Sequence, residues 1–328
     1  MRPAFLLVIL LLLTAGSLAY SLLNGSVDTD LDALLAVLSG NGDEFTRQIV
    51  LELRWPRTAA AFTTGALLAV AGALMQVLLR NPLADPYVLG ISGGAATGAL
   101  LSMLFGLGGY WLQGSAFTGA LLSMLLVFGL SHGSGAWSTH RLLLTGVVIA
   151  AGWGAVIGFL LAISPEQGLR NMLFWLMGDL SRADTPSIAA PALVAGLVIA
   201  LAVGRSLNLL TRGDLAAQSL GVPVQALRVV IYLLASVMTA LAVTLAGSVG
   251  FVGLIVPHLL RLSGVRDHRL LLPAAVLLGG SLLVVADTLA RTLLAPHQLP
   301  VGILTAMVGV PLFLVLLYFS RSQAGDRS

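Results

Sequence analysis

Long apolar runs are the feature of this sequence that most constrains its fold. Short polar segments separate these runs, and no polar stretch is long enough to form a further domain. Charged residues make up only 9% of the 328 residues, whereas a soluble domain carries about 25%. The sequence therefore predicts an all-α polytopic membrane protein with a single transmembrane domain over residues 1–328. The ten predicted spans cover residues 4–23, 54–79, 88–105, 115–131, 142–163, 188–206, 229–246, 250–262, 271–291 and 301–320.

A polar junction that contains two prolines separates the second predicted span from the third. Proline removes a backbone donor and disfavours helix in the residue before it, so we expect the helix to break at Asn81 and Pro82. Gly90, Gly94 and Gly98 then recur at every fourth position, a spacing that lets two membrane helices approach closely. The junction is therefore predicted to be a shaped and tightly packed part of the bundle.

The absence of two residue types excludes several functions. The chain has no cysteine, which excludes disulfides and thiolate metal sites. It also has no lysine, which excludes the phosphate-binding loop of many ATPases, so any coupling to ATP must come from a partner. The histidines show no metal-ligand spacing, and we predict neither a metal nor another cofactor. These histidines are His132, His140, His258, His268 and His297.

Charge predicts the orientation in the membrane. With the N-terminus inside, 11 of the 17 arginines but only 4 of the 14 acidic residues fall in inner segments. Both termini are then cytoplasmic, in agreement with the positive-inside rule. The high isoelectric point therefore reflects loop arginines and does not indicate nucleic-acid binding. The first run is either a retained helix or a signal peptide cleaved after Ala19.

The inner segment over residues 208–228 is polar and is long for a loop. Within it a short surface helix is predicted from Asp214 to Leu220, and Gly221 and Pro223 would end it. The residues expected on one face of this helix are Leu215, Gln218, Ser219 and Val222. Spacing alone leaves two interpretations, an ordinary surface helix or a docking element for a cytoplasmic partner.

Several motifs, in order along the chain, resemble those of permease subunits of type II ABC importers. This family carries vitamin B12, ferric siderophores and haem. Any one motif is weak alone, but their joint occurrence is specific. The motifs are Arg54–Arg57 with Gly65–Gln76, Asn81–Pro86 with Leu89 and Gly90, Gly250–His258 with Arg261, and Ala286–Arg291 with Leu299–Gly302.

The resemblance implies a homodimer in the bacterial inner membrane, with two cytoplasmic ABC ATPase subunits below it and a periplasmic substrate-binding protein above it. The chain itself would then be a non-catalytic permease that forms the translocation pathway. The segment 208–228 would be the region that couples to the ATPase. The coupling residues would be Asp214, Leu215, Gln218, Ser219, Leu220, Gly221 and Val222.

Three arginines match family positions that resemble docking sites for carboxylates of the binding protein. Arg54, Arg57 and Arg291 all lie at predicted outer helix ends, and the guanidinium fork suits a carboxylate. The alternative is that these side chains anchor the helices at the membrane interface. Arg291 has a further alternative, an ion pair with Asp287 four positions earlier on the same helix.

The translocation pathway is predicted to involve the junction and a polar residue of the second span. The residues concerned are Gln76, Asn81, Pro82, Gly90 and Gly94. Polar side chains inside a membrane are costly and mark functional sites by default. For Gln76, a hydrogen bond between helices is the competing interpretation.

Two other functional classes remain open from the residues alone. A stand-alone secondary transporter or channel would need charges at helix centres for ion coupling, and the sequence has almost none there. An intramembrane serine protease is the other, because Gly90 to Gly94 fit the pattern G-x-S-x-G, although a strand–turn–helix context is lacking. For an importer, a corrinoid and a ferric siderophore rank level as cargo, with haem third.

Overall fold

The computed structural model describes residues 3–25, 29–131 and 139–325, and this part of the chain is helical without any strand. A π-helical turn, Ile49–Arg54, and a 3-10 turn, Pro86–Leu89, adjoin the α-helices. The α-helices are α1 (Pro3–Leu23), α2 (Leu31–Leu38), α3 (Glu44–Gln48), α4 (Trp55–Leu78), α5 (Ile91–Leu104), α6 (Tyr110–Ser131), α7 (Thr139–Ile163), α8 (Glu166–Leu176), α9 (Ala189–Ala202), α10 (Gly204–Leu210), α11 (Asp214–Ser219), α12 (Val224–Ala246), α13 (Val252–Leu262), α14 (His268–Thr292) and α15 (Val301–Gly325).

The membrane helices correspond to the ten predicted spans. Among the described residues, six helical segments are long and apolar enough to cross a membrane: α1, the continuous helix from α3 through α4, α6, α7, α12 and α14. Helices α9 and α10 form a further span that is bent by 59°. The shorter apolar helices α5, α13 and α15 occupy the remaining positions. An all-α fold with about ten membrane helices is therefore confirmed.

Helix α4 lies at the centre of the bundle. In the continuous helix Glu44–Leu78, which includes α4, 94% of the most apolar stretch is buried. Helix α4 packs against α12, α13 and α14. Glycines set these contacts. A Cβ atom at Gly72 would overlap the carbonyl oxygen of Gly253 on α13, and one at Gly65 would overlap that of Gly279 on α14. The central helix therefore packs backbone against backbone, as small residues allow in membranes.

The start of the second span differs from the prediction. The second span was predicted to begin at residue 54, but α3 begins at Glu44 and continues through the π-turn into α4 without a break. Pro56 follows the π-turn directly, so it lies inside this continuous helix and removes one backbone donor from it. The π-turn supplies the change in hydrogen bonding that lets the helix pass this proline.

The sixth predicted span is also different, because it bends after Ala202 and is not straight. Helix α10 turns away so that the Asn208 side chain reaches the start of α14. Its Nδ2 donates to Asp267 Oδ1 at 2.8 Å, and its Oδ1 accepts from the His268 backbone N–H at 2.9 Å. These tertiary hydrogen bonds are invisible to hydropathy, which detects only that the segment is apolar.

Charged side chains gather at the two ends of the bundle. Asp214 pairs with Arg80 and Arg228 at one end, and Asp287 pairs with Arg57 at the other. Each group joins only residues that the charge pattern assigned to one side of the membrane. The arrangement agrees with that assignment, while the orientation itself stays a prediction.

Candidate coupling and docking surfaces

The helix break lies between α4 and α5, where the prolines predict it. The backbone is left-handed at both ends of this junction, with φ of 49° at Arg80 and 72° at Gly90. Asn81 Oδ1 accepts from the Leu83 backbone N–H at 2.9 Å, which closes a turn of the Asx type. Asn81 and Pro82 are exposed at the end of the bundle. Their place in a translocation pathway stays a prediction.

Asp85 begins the 3-10 turn of the junction. Its Oδ1 accepts from the Tyr87 backbone N–H at 2.8 Å, so the carboxylate caps this turn. Burial of the carboxyl group raises the pKa of Asp85 to about 6, and the hydrogen bond from Tyr87 opposes that shift. Asp85 is therefore a capping carboxylate whose burial favours its protonated form.

Gly90 and Gly94 lie at close contacts with neighbouring helices. A Cβ atom at Gly94 would overlap the carbonyl oxygen of Gly119 on α6, and one at Gly90 would lie 3.2 Å from the backbone nitrogen of Ala150 on α7. The carbonyl of Gly90 also accepts a hydrogen bond from Ser123 Oγ at 2.8 Å. Both glycines thus lie where helices pack closely. This packing explains the glycines of the G-x-S-x-G pattern without a protease active site.

Gln76 is buried on α4 and bonds to α13. Its Nε2 donates to the carbonyl oxygens of Gly253 and Leu254, both at 3.3 Å, and its Oε1 accepts from Arg261 Nη1. These contacts match the interpretation that Gln76 forms hydrogen bonds between two helices. A role in the pathway stays a prediction.

The segment over residues 208–228 forms a short projecting helix, α11, at the same end as Arg80. Leu215 is 83% exposed and Leu220 is 64% exposed, and Gln218, Ser219 and Gly221 are exposed beside them. Ala217 faces the bundle and is buried. Two leucines held in solvent at a helix end form an apolar surface that a protein partner could cover.

Val222 does not share the exposed face, contrary to the prediction. It is only 8% exposed, because φ of 79° at Gly221 turns the chain back towards the bundle. The Val222 backbone N–H donates to the carbonyl of Ala217 at 3.0 Å, and that of Gly221 donates to Gln218 at 2.9 Å. This pair of bonds is a Schellman motif, which buries the residue after the glycine.

Asp214, the first residue of α11, joins two arginines from different elements. Arg228 Nη2 on α12 donates to both carboxylate oxygens, at 3.0 and 2.8 Å, and Arg228 is buried. Arg80, two residues after the end of α4, also pairs with this carboxylate. Sequence spacing did not reveal this cluster, since its members are 134 and 14 residues from Asp214 along the chain.

At the opposite end, Arg57 and Asp287 form a buried ion pair. Arg57 Nε lies 2.9 Å from Asp287 Oδ2, Arg57 Nη2 lies 2.9 Å from Asp287 Oδ1, and Asp287 is 1% exposed. Arg57 Nη1 also donates to Gln298 Oε1 at 2.8 Å. Asp287 therefore forms its hydrogen bonds with Arg57, and the alternative partner predicted from spacing, Arg291, forms none with it.

Arg54 and Arg291 also bond within the chain. Arg54 Nη1 donates to the carbonyl of Leu22 at 2.6 Å, and Arg291 Nη2 donates to Ser21 Oγ at 2.7 Å. Arg54, Arg57 and Arg291 are 4%, 9% and 7% exposed. Their guanidinium groups are therefore not exposed to solvent in the way that a docking role would lead one to expect. Their docking role stays a prediction.

The same three arginines line a cavity of about 770 Å³ at this end of the bundle. Two acidic residues, Glu52 and Asp184, and a fourth arginine, Arg182, also contribute to its wall. A carboxylate that entered this cavity would approach guanidinium groups held in fixed positions, which favours a charge-assisted hydrogen bond. In the described part of the chain, by contrast, no three His, Asp or Glu side chains are grouped as metal ligands.

Comparison with known proteins shows the family. The profile of the FecCD transport family matches residues 9–319. The hemin transport system permease protein HmuU of Yersinia pestis is 41% identical over 97% of this chain and 96% of its own. The cobalamin import system permease protein BtuC of Halobacterium salinarum is 42% identical over 87% of this chain and 77% of its own.

Solved structures agree with this assignment. A metal-chelate type ABC transporter in an inward-facing conformation matches with a TM-score of 0.87 and 32% identity, over 97% of this chain and 99% of that one. PsaBC from Streptococcus pneumoniae shares the fold, with a TM-score of 0.53 and 19% identity over 86% of this chain and 95% of that one. The chain is thus a membrane-embedded permease of the ABC transporter type and belongs to the FecCD transport family.

Proposed function

We propose that this chain is the permease subunit of an ATP-driven, binding-protein-dependent importer of a metal chelate. Two copies form the translocation pathway in the bacterial inner membrane. Two ABC ATPase subunits bind the cytoplasmic end and supply the free energy, and a periplasmic binding protein delivers the cargo to the other end. The chain itself has no catalytic role.

The observation that carries this proposal is the projecting helix α11. Its exposed leucines, Leu215 and Leu220, form an apolar surface at the end to which charge assigns the cytoplasm. A helix this short is not stable alone, yet Asp214 and the Gly221 turn hold it in one orientation. A rigid apolar projection of this kind suits insertion into a cleft of an ATPase subunit.

Helix α7 supports the homodimer. Only 11% of its most apolar stretch is buried, the smallest share among the six long segments. Gly152, Gly154 and Gly158 are exposed on it, and a Cβ atom at any of them would meet nothing within 4 Å. Small residues are enriched where membrane helices pack, so a second copy of the chain is the partner that we propose for this face.

The cavity at the opposite end supports docking of a binding protein. Arg54, Arg57 and Arg291 line it, and of these Arg57 is already paired with Asp287. We therefore expect Arg54 and Arg291 to contribute most of the attraction for a partner carboxylate. Such charges increase association rate and specificity more than affinity.

The cargo that we propose is a metal chelate of the corrin or porphyrin type. Two of the permeases that cover most of this chain are named for hemin and for cobalamin. A ferric siderophore, ranked level with a corrinoid on the residues alone, is the competing outcome. Helix centres with few charges and many small residues suit a bulky cargo that must not bind tightly on its way.

The coupling role is tested by placing an acid on the α11 surface. We expect Leu220→Glu to detach the ATPase, because a carboxylate buried in the cleft would lose its hydration without gaining a partner. The measurement is the amount of ATPase that co-purifies with the tagged permease in detergent. The matched control is Leu293→Glu at the other end of the bundle, where the leucine is 57% exposed. Equal retention of the ATPase by both variants would contradict the coupling role.

A further inference from the structure

The carboxylate of Asp214 joins α11 to two other elements of the bundle. It accepts from Arg228 on α12 at 2.8 Å and pairs with Arg80, which begins the junction between α4 and α5. Arg80 is one of only two non-glycine residues with positive φ in the described part of the chain. Such a backbone conformation is unfavourable and persists only where surrounding contacts hold it. The ion pair with Asp214 is one such contact.

The junction that Arg80 begins ends against α7. A Cβ atom at Gly146 of α7 would lie 2.6 Å from the carbonyl oxygen of Val88 in the 3-10 turn, and one at Gly90 would lie 3.2 Å from the nitrogen of Ala150. Neither contact leaves space for the turn to slide along the helix. Because packed interiors transmit displacement and do not absorb it, we expect this turn and α7 to move together.

Two consecutive hydrogen bonds also stabilise the contact between α7 and the junction. Trp153 Nε1 on α7 donates to Ser123 Oγ at 2.9 Å, and Ser123 Oγ donates to the carbonyl of Gly90 at 2.8 Å. Ser123 is fully buried, so water does not compete for these bonds. A Cβ atom at Gly93 would also lie 2.7 Å from Trp153 Cβ. Helix α7 is thus held to the start of α5 by packing and by polar contacts.

We propose that Asp214 is a positioning residue that ties displacement of α11 to the Arg80–Gly90 junction and, through that junction, to α7. The ion pair with Arg80 transmits the displacement, and the pair with Arg228 keeps α11 oriented on α12. The proposal rests on the coupling role of α11 stated above. It adds the route by which a movement at the ATPase reaches α7, the least buried of the six long apolar segments.

The test uses the absence of native cysteine, which allows a single spin label on each copy. Val148→Cys places the label on an exposed position of α7, and the assembled complex then gives one distance between its two copies. We expect this distance to change when ATP and vanadate trap the ATPase. With Asp214→Asn added, we expect the change in distance to be lost and uptake per ATP hydrolysed to fall about tenfold, measured on the complexes that retain the ATPase.

The controls separate positioning from stability. Asp214→Glu should restore the distance change, because it keeps the charge for both arginines. Asp267→Asn alters an acid at the same end that contacts α10, and it should behave as the unaltered chain does. Arg80→Gln combined with Asp214→Asn should lower uptake no further than Asp214→Asn alone, since both changes break the pair between Arg80 and Asp214.

Each outcome bears on a different claim. If the ATPase fails to bind even the unaltered chain, the proposed importer function is wrong. If the ATPase binds but α7 shows no ATP-dependent change, or if Asp214→Asn shows the full change, the positioning role is wrong while the importer function stands. Loss of the change in Asp214→Asn with rescue by Asp214→Glu is the result that we expect.

Discussion

At the scale of single residues, the structure resolves a question that local spacing cannot. Asp287 lies in an apolar helix, and the sequence signals correctly that such a carboxylate needs a partner. Spacing offers Arg291 on the same helix, but the hydrogen-bonded partner is Arg57, 230 positions away. Pairing across that distance depends on how α4 packs against α14, and no periodicity in either helix encodes it.

Removing the carboxylate of this pair should destabilise the fold strongly. We expect Asp287→Ala to cost about 3–5 kcal/mol, because Arg57 would remain buried without its counter-ion. The measurement is the thermal unfolding midpoint in detergent, with Asp184→Ala as a control at an exposed acid. The double variant Arg57→Met and Asp287→Leu should recover much of the loss. A midpoint for Asp287→Ala no lower than that of the control would contradict this account.

Asp85 should make stability depend on pH near neutrality. Its pKa is about 6 in the folded chain and near 3.8 when unfolded, so the folded state binds more protons between these values. Stability from this group therefore rises as pH falls through 6. As the pH is lowered from 7.5 to 5, we expect the unfolding temperature of the unaltered chain to rise relative to that of Asp85→Asn. A constant difference between the two midpoints would show that burial does not perturb this carboxyl group.

At the scale of secondary structure, hydropathy predicts which segments are helical but not how they bend. The break between α4 and α5 was predictable because proline acts locally on the backbone. The 59° bend after Ala202 was not, because it depends on hydrogen bonds from Asn208 to the start of α14. The burial of Val222 was predictable only in part. Gly221 was recognised from the sequence as the end of the helix, but the sequence did not show that the chain turns back there and buries Val222.

The packing of α4 against α13 should tolerate no side chain at Gly72. We expect Gly72→Ala to cost about 1–3 kcal/mol, because the added methyl group would overlap the carbonyl of Gly253 and push α13 away. Thermal unfolding in detergent measures the effect. Gly129→Ala on α6 is the control, since its Cβ atom would meet nothing within 4 Å. Equal midpoints for the two variants would mean that α4 and α13 are not in such close contact.

At the scale of the whole molecule, composition alone predicted a polytopic membrane protein, and ordered motifs placed it among type II ABC importer permeases. The family profile, the relatives and the structural match confirm that family. The three arginines predicted for docking lie together at one end of the bundle, but their burial was not foreseen. Exposure depends on neighbours that are distant along the chain, which are Ser21 for Arg291 and Asp287 for Arg57.

Uptake into proteoliposomes would show whether this chain works as an importer permease. The chain would be reconstituted with its ATPase and binding protein, and radiolabelled cobalamin, haem and a ferric siderophore would each be offered with and without ATP. We predict accumulation of one of these chelates that requires ATP, the ATPase and the binding protein together. Uptake of a chelate by this chain alone, without ATP or partners, would contradict the account and indicate a secondary transporter.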